Sequence, residues 1–325
     1  MLRGGGSKGG TWQTLTPDQA AEADAIHAEW QDAAAAGMTK AHCGLGVFLT
    51  KRGKLEEAAA AYHAALCINP DYALAHSNLG LLQQRRGDNR GAEASFAEAL
   101  RLEPANADAQ SNLGALKHAK GDVGGAAAAY RAALQHDKQH AKAHHNLALL
   151  LKAQGDATSC EKHLKKALKA DPDYADAHLA WALLQHAKGD PKGSEASCRK
   201  ALAADPQHAA AHGQLGLLRQ ESGDATGAVA SLRLAVHADP GHAGLLSHLG
   251  VALHLAGDLR GAEEHYAAAL AADSQLANVH SNLGGCLRAR GDVAGAVASY
   301  RRALELDAAH AKVATTRACV IRVQL

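Results

Sequence analysis

Aromatic side chains are scarce in this chain. Three Trp, six Tyr and two Phe amount to 3% of 325 residues, although 47% of the residues are hydrophobic. Most of the apolar content must then be alanine and leucine, the strongest helix formers. This argues against a β-sandwich or barrel, which draws on β-branched and aromatic residues. Net charge is also nearly absent, because 34 basic residues face 33 acidic ones. No overall field draws the chain to nucleic acid or to an anionic membrane, and neither is an expected partner. No apolar run approaches the roughly 18 residues of a membrane span. The six cysteines, Cys43, Cys67, Cys160, Cys198, Cys286 and Cys319, are scattered with no CxxC pair. Their spacing argues against a disulfide framework or a zinc site and for reduced thiols in a reducing compartment, the cytoplasm being the expected one. Residues 1–10 hold Arg3, Lys8 and five glycines without an apolar segment, unlike a secretory signal. Residues 1–15 read as a disordered leader, with an organelle presequence as the alternative because no acid precedes Asp18.

What the chain has instead is a period. Length alone suggests about two domains, but a shift of 34 residues brings several rows into register. Leu-Gly or a close substitute falls at Leu45–Gly46, Leu79–Gly80, Leu113–Gly114, Leu147–Ala148, Trp181–Ala182, Leu215–Gly216, Leu249–Gly250 and Leu283–Gly284. A second row is Gly53, Gly87, Gly121, Gly155, Gly189, Gly223, Gly257 and Gly291, each but the first followed by Asp. An alanine row runs from Ala65 to Ala303, and a proline row closes five units at Pro70, Pro104, Pro172, Pro206 and Pro240. The frames are 39–72, 73–106, 107–140, 141–174, 175–208, 209–242, 243–276 and 277–310.

Each row has a mechanical reason. A glycine in the left-handed conformation ends a first helix, and the aspartate after it caps a second. Proline stops that second helix. Glycine at place 8 lies inside the first helix, where it costs about 1 kcal/mol relative to alanine. Close approach of the paired helix is the expected compensation. The second helix supplies a bulky residue to that junction at Tyr62, Phe96, Tyr130, Leu164, Leu232, Tyr266 and Tyr300.

These rows resemble the tetratricopeptide repeat: Leu-Gly at places 7 and 8, alanine at 20 and 27, an aromatic at 24 and proline at 32, over residues 39–310. The resemblance implies an all-α fold, an α-solenoid wound as a right-handed superhelix of eight helix hairpins, with a concave groove lined by first helices. The fourth place departs from the family, which often has Trp or Tyr there; this chain has His42, His76, His144, His178, His212 and His280. One hairpin cannot bury its apolar face without neighbours, so capped ends are expected. Thr16-Pro17-Asp18-Gln19 reads as a helix start, making 16–38 an N-terminal capping helix. Residues 311–325 read as a C-terminal one.

On a helical wheel place 7 points inward, and places 2, 5, 9 and 12 point the opposite way. Place 9 carries Leu81, Leu149, Leu183 and Leu217. Place 5 is mostly small. Place 12 is polar or basic, with Gln84 (beside Arg85), His118, Lys152, His186 and Arg288. The expected site is an apolar-floored channel with a hydrogen-bonding rim, suited to a peptide; the competing reading is that neighbouring helices cover these leucines. Place 6 repeats Asn78, Asn112, Asn146 and Asn282. This row resembles that of the repeat region of O-linked N-acetylglucosamine transferases, and the resemblance implies amides holding a peptide backbone. Gly44, Ala180, Gln214 and His248 break the row, and no catalytic domain of that family is expected. The chaperone-tail clamp of other members is incomplete, since Asn112 and Lys142 lack the remaining partners.

Other constellations read as packing. His140, His144 and His145, or His208 and His212, have helical spacing for a metal, but fourth-place histidines match the family's packing position. Cys160 and His163 suggest a nucleophile and base, yet Cys160 fills the small place 20, where a thiol is inert. No catalytic residue, metal or cofactor is expected. Lys162, Lys165, Lys166 and Lys169 form a stripe at three-four spacing on a second helix, a solvated face or a dock for an acidic partner. The leading expectation is a non-enzymatic interaction scaffold. The alternatives are a targeting or regulatory arm of an enzyme complex, most like the transferase repeats, or a structural subunit of a ciliary or cytoskeletal assembly.

Overall fold

The computed structural model describes residues 39–306, so the expected leader and both capping helices lie outside the described residues. The described chain is all α-helix, joined by short turns: sixteen helices and no strand among the described residues. They come in pairs: α1 (Thr39–Lys51) with α2 (Leu55–Ile68), α3 (Ala73–Arg85) with α4 (Asn89–Leu102), α5 (Ala107–Ala119) with α6 (Val123–His136), and α7 (Ala141–Ala153) with α8 (Ala157–Ala170). Then come α9 (Ala175–Ala187) and α10 (Pro191–Ala204), α11 (Ala209–Glu221) and α12 (Ala225–Ala238), α13 (Ala243–Leu255) and α14 (Leu259–Ala272), and α15 (Ala277–Ala289) and α16 (Val293–Leu306). Every first helix has 13 residues and every second helix 14. Turns of three and four residues complete the 34.

Local chemistry sets these limits. At the hairpin turn Gly87 has φ +80°, and all eight glycines of that row are likewise left-handed. The Gly87 N–H donates to the Gln84 carbonyl and the Asp88 N–H to the Gln83 carbonyl, which satisfies the last acceptors of α3. The Asp88 carboxylate then accepts from the Gly91 N–H at 2.9 Å and caps α4. One aspartate thus closes a helix with its backbone and opens the next with its side chain. The device recurs at Asp122, Asp156, Asp190, Asp224, Asp258 and Asp292. Lys54 stands at this place in the first hairpin and provides no side-chain cap.

The described residues form two compact units, one ending at Ala180 and one starting at Trp181. Within each unit the hairpins stack in chain order as in an α-solenoid. In the first unit α2 packs on α3, α4 on α5 and α6 on α7, in the second α10 packs on α11, α12 on α13 and α14 on α15, and successive first helices within a unit also touch. The hairpin junction is dry: Tyr62, Phe96, Tyr130, Leu164, Leu232, Tyr266 and Tyr300 are buried, as are the alanines of places 20 and 27. Leu82, Leu116, Leu150, Leu184 and Leu218, at place 10, form a further buried row. Some polar groups in this core are paired, as Ser95 donates to Gln83 at 2.7 Å, Ser197 to Gln185 at 2.5 Å, and Arg219 to Ser231 at 2.7 Å, whereas the buried Ser111 and Ser194 hydroxyls have no hydrogen-bond partner among the described residues.

Candidate functional site: the first-helix face

The helical wheel placed place 5 on the open face, and the structure corrects this. Ser77, Ser111, Gly213, Ser247 and Ser281 are all buried. A Cβ on Gly213 would lie 2.7 Å from Leu245 of the next first helix. Small side chains at place 5 let neighbouring first helices approach, and so belong to the repeat-to-repeat seam. A single-helix wheel cannot see a neighbour arriving from the side.

Place 6 lies beside the same seam. Asn78 donates to the Cys43 thiol Sγ at 3.6 Å, and Asn112, only 6% exposed, accepts from the Lys142 ammonium at 3.3 Å. Both bonds tie one first helix to its neighbour. Asn146 bonds the adjacent His145, and Asn282 is half-buried. In the second unit Gln214 takes the same place and contacts His186 Nδ1 at 3.4 Å, while His186 Nε2 meets Glu221 at 2.8 Å. His186 is therefore held between two side chains of the following first helix, a lateral link that sequence spacing did not suggest.

The leucines of place 9 differ among themselves. Leu81 packs beside Phe96 and Leu116, and Leu183 and Leu217 are half-buried. Leu149 stays open, 37% exposed. At place 12, Gln84 is half-buried, whereas His118, Lys152 and Arg288 are exposed, as is Arg85 next to Gln84. Two apolar side chains missed from the sequence belong to this layer: Leu74 at place 2 and Leu255 at place 13, exposed to 50% and 65%. An apolar residue at a wheel position facing away from place 7 was the available signal. The place-24 hydroxyls also reach first helices. Thr50 donates to the Gly46 carbonyl at 2.7 Å, which leaves the Tyr62 hydroxyl to donate to Thr50 at 3.3 Å. Burial pushes that phenol up to about 12, so it remains a neutral donor.

The histidines have structural uses. Fourth-place rings bond the carbonyl six residues earlier, closing the four-residue turn: His76 to Pro70, His144 to Lys138, His178 to Pro172, His212 to Pro206 and His280 to Ser274. His140, His208 and His242 cap α7, α11 and α13, each accepting a backbone N–H on Nδ1. His144 Nδ1 lies 2.9 Å from His163 Nδ1. Because His144 donates from Nε2 to a carbonyl, its Nδ1 accepts, and His163 supplies the proton. Among the described residues no group of three His, Cys, Asp or Glu side chains could hold a metal ion. Cys160 is buried, and none of the five described cysteines is in a disulfide. No described helix is long and apolar enough to cross a membrane.

Three family models match. One described as tetratricopeptide repeat covers residues 77–142, 214–277 and 256–311, which is about half of the chain. A second of that description covers 117–185, and one described as TPR repeat covers 46–87. No curated protein matches the chain. Among solved structures, the Cut9–Hcn1 hetero-tetramer of the APC/C is similar with a TM-score of 0.70 and 13% identity, over 82% of this chain and 52% of that one. The chain thus spans about half the length of that relative. A tetratricopeptide repeat protein from Parabacteroides merdae follows at TM-score 0.55 and 19% identity, covering 77% of this chain and 98% of that one. The human IFIT1 dimer with PPP-AAAA gives 0.59 and 18%, over 83% of this chain and 73% of that one. At these identities the likeness is one of fold.

Proposed function

Since the chain belongs to the tetratricopeptide repeat family, whose fold is typical of protein–protein interaction scaffolds, we propose that it is a non-enzymatic scaffold holding a peptide or a partner subunit on its first-helix face. The observation that carries this reading is Leu149, an apolar side chain left 37% exposed beside exposed Lys152 in the layer of first helices. A solvated leucine next to a free cation is what an amphipathic or extended segment would cover, gaining about 25 cal/mol per Å² of apolar area buried. His118 and Arg288 offer further polar contacts on other first helices. The asparagine row adds amides able to donate and accept at a peptide bond. Asn112, Asn78 and Asn146 are already engaged by Lys142, Cys43 and His145, so backbone reading on the transferase pattern would fall first to Asn282.

The test is selection of twelve-residue peptides from a random library against the whole chain, followed by affinity measurements on Leu149→Glu and, separately, Leu217→Glu. Leu149→Glu should weaken the selected peptides at least tenfold while the melting temperature holds. Peptides that bind the variants as tightly as the parent would overturn the reading.

A further inference from the structure

The lysine stripe lies on a different face. Lys162, Lys165, Lys166 and Lys169 of α8 are all exposed, at positions that share one side of the helix. Like charges at three-four spacing destabilise a helix by a few tenths of a kcal/mol per pair. Other second helices relieve such charge with acids: Arg101 pairs with Glu98, Arg199 with Glu195, Arg302 with Glu305, and Lys120 reaches Glu93. On α8 the one acid, Glu161, is taken by Lys165 at 2.7 Å. No ion pair ties down Lys162, Lys166 or Lys169 among the described residues.

The surroundings add further cations, with the acid Asp137 acting on His144. Arg131 on α6, exposed, acts with Lys162 and Lys166 on the His163 ring, which is held down to about 4 by burial first, then by His144 and these cations. The imidazole pair is therefore neutral at physiological pH. We propose that the α8 surface formed by Lys162, Lys166 and Lys169, with Arg131 beside it, is a docking site for an acidic segment of a partner protein, distinct from the first-helix face. Lys162 to Lys169 spans seven residues, about 10 Å along the helix axis. A partner helix with Glu or Asp at matching three-four spacing presents its carboxylates over the same length. Nucleic acid is a poorer fit: α8 carries no aromatic side chain to stack a base, and Tyr130 of α6 is buried. A membrane surface is poorer still, because Leu164 points into the core and gives the stripe no apolar anchor.

The experiment uses the full chain and a fluorescein-labelled peptide of ten glutamates, at low and at 0.3 M salt. Binding should weaken with salt and fall at least tenfold in K162Q/K166Q/K169Q, whereas R301E/R302E on α16 and Leu149→Glu stay within twofold. The Leu149 variant separates this site from the first-helix reading. Saturating peptide should also raise the pH at which the His163 ring titrates by NMR, since added carboxylates offset the lysine field. Equal peptide binding by the triple variant, an unmoved His163 titration, or tighter binding of a single-stranded oligonucleotide or phosphatidylserine vesicle than of the peptide would each overturn the proposal.

Discussion

A Cβ added to Gly114 would lie 2.6 Å from the Tyr130 ring, so the ring of a second helix sits directly on the backbone of its first. The same contact joins Gly46 to Tyr62, Gly80 to Phe96, Gly250 to Tyr266 and Gly284 to Tyr300. Where place 8 is alanine instead, at Ala148 and Ala182, place 24 holds Leu164 and Cys198. Gly216 faces Leu232, so a ring at place 24 goes with glycine at place 8 but glycine does not demand a ring; where the ring is present, its burial offsets the helix-breaking tendency of glycine.

Gly114→Ala should therefore destabilise the chain by about 1–3 kcal/mol through overpacking. In Gly114→Ala/Tyr130→Leu the loss should be smaller than the sum of the two single losses, because that pair already exists at Ala148 and Leu164. A double-mutant cycle by urea unfolding measures the coupling. Strict additivity would mean that the two sites do not share space.

The hairpin turn makes a second prediction. Asp224 caps α12 by accepting from the Gly227 N–H at 2.8 Å, and Gly223 holds φ +83°. Asp224→Ala should cost about 0.5–2 kcal/mol, and Gly223→Ala about 1–2 kcal/mol for a Cβ in left-handed backbone. Hydrogen exchange in the first turn of α12 should quicken in the Asp224 variant before the rest of the second unit responds.

A histidine does the capping elsewhere. His242 accepts the Leu245 N–H on Nδ1 at 3.2 Å. His242→Asn keeps a side-chain acceptor and should hold the melting temperature, whereas His242→Ala should cost about 0.5–2 kcal/mol by urea unfolding. Equal stability of the two variants would show that this cap contributes nothing.

The His144–His163 pair sets a pH dependence of known sign. Burial, the neighbouring imidazole and nearby cations lower His163 from 6.5 to about 4 in the folded chain. Burial lowers His144 and His145 as well. Below pH 6.5 the unfolded chain binds these protons more readily than the folded one, so stability is complete above that pH and is lost as pH falls toward 4. For His163 alone the loss by pH 5 is on the order of 1–2 kcal/mol. His163→Asn should flatten the fall in melting temperature between pH 7 and 5, and a parent curve already flat over that range would contradict the assignment.

Much of this was legible in the sequence because its causes are local. Gly-Asp pairs fixed both ends of seven of the eight hairpin turns, and the Gly and aromatic rows named the two halves of one contact. The fourth-place histidines were recognised as packing residues from their register, although their carbonyl partners six residues back were not. Place 5 was misassigned, and Leu81 and Leu149 looked alike.

Sequence by itself determined the helices, their lengths and their pairing, since caps, turns and a hydrophobic period act within a span of 34 residues. Only the tertiary structure decided which outward-looking side chains remain outside. Phe96 and Leu116 cover Leu81 while Leu149 stays exposed. Glu161 neutralises Lys165 and leaves Lys162, Lys166 and Lys169 bare. Exposure and charge at one residue depend on the reach of side chains from the neighbouring repeat, which no single unit of the pattern encodes.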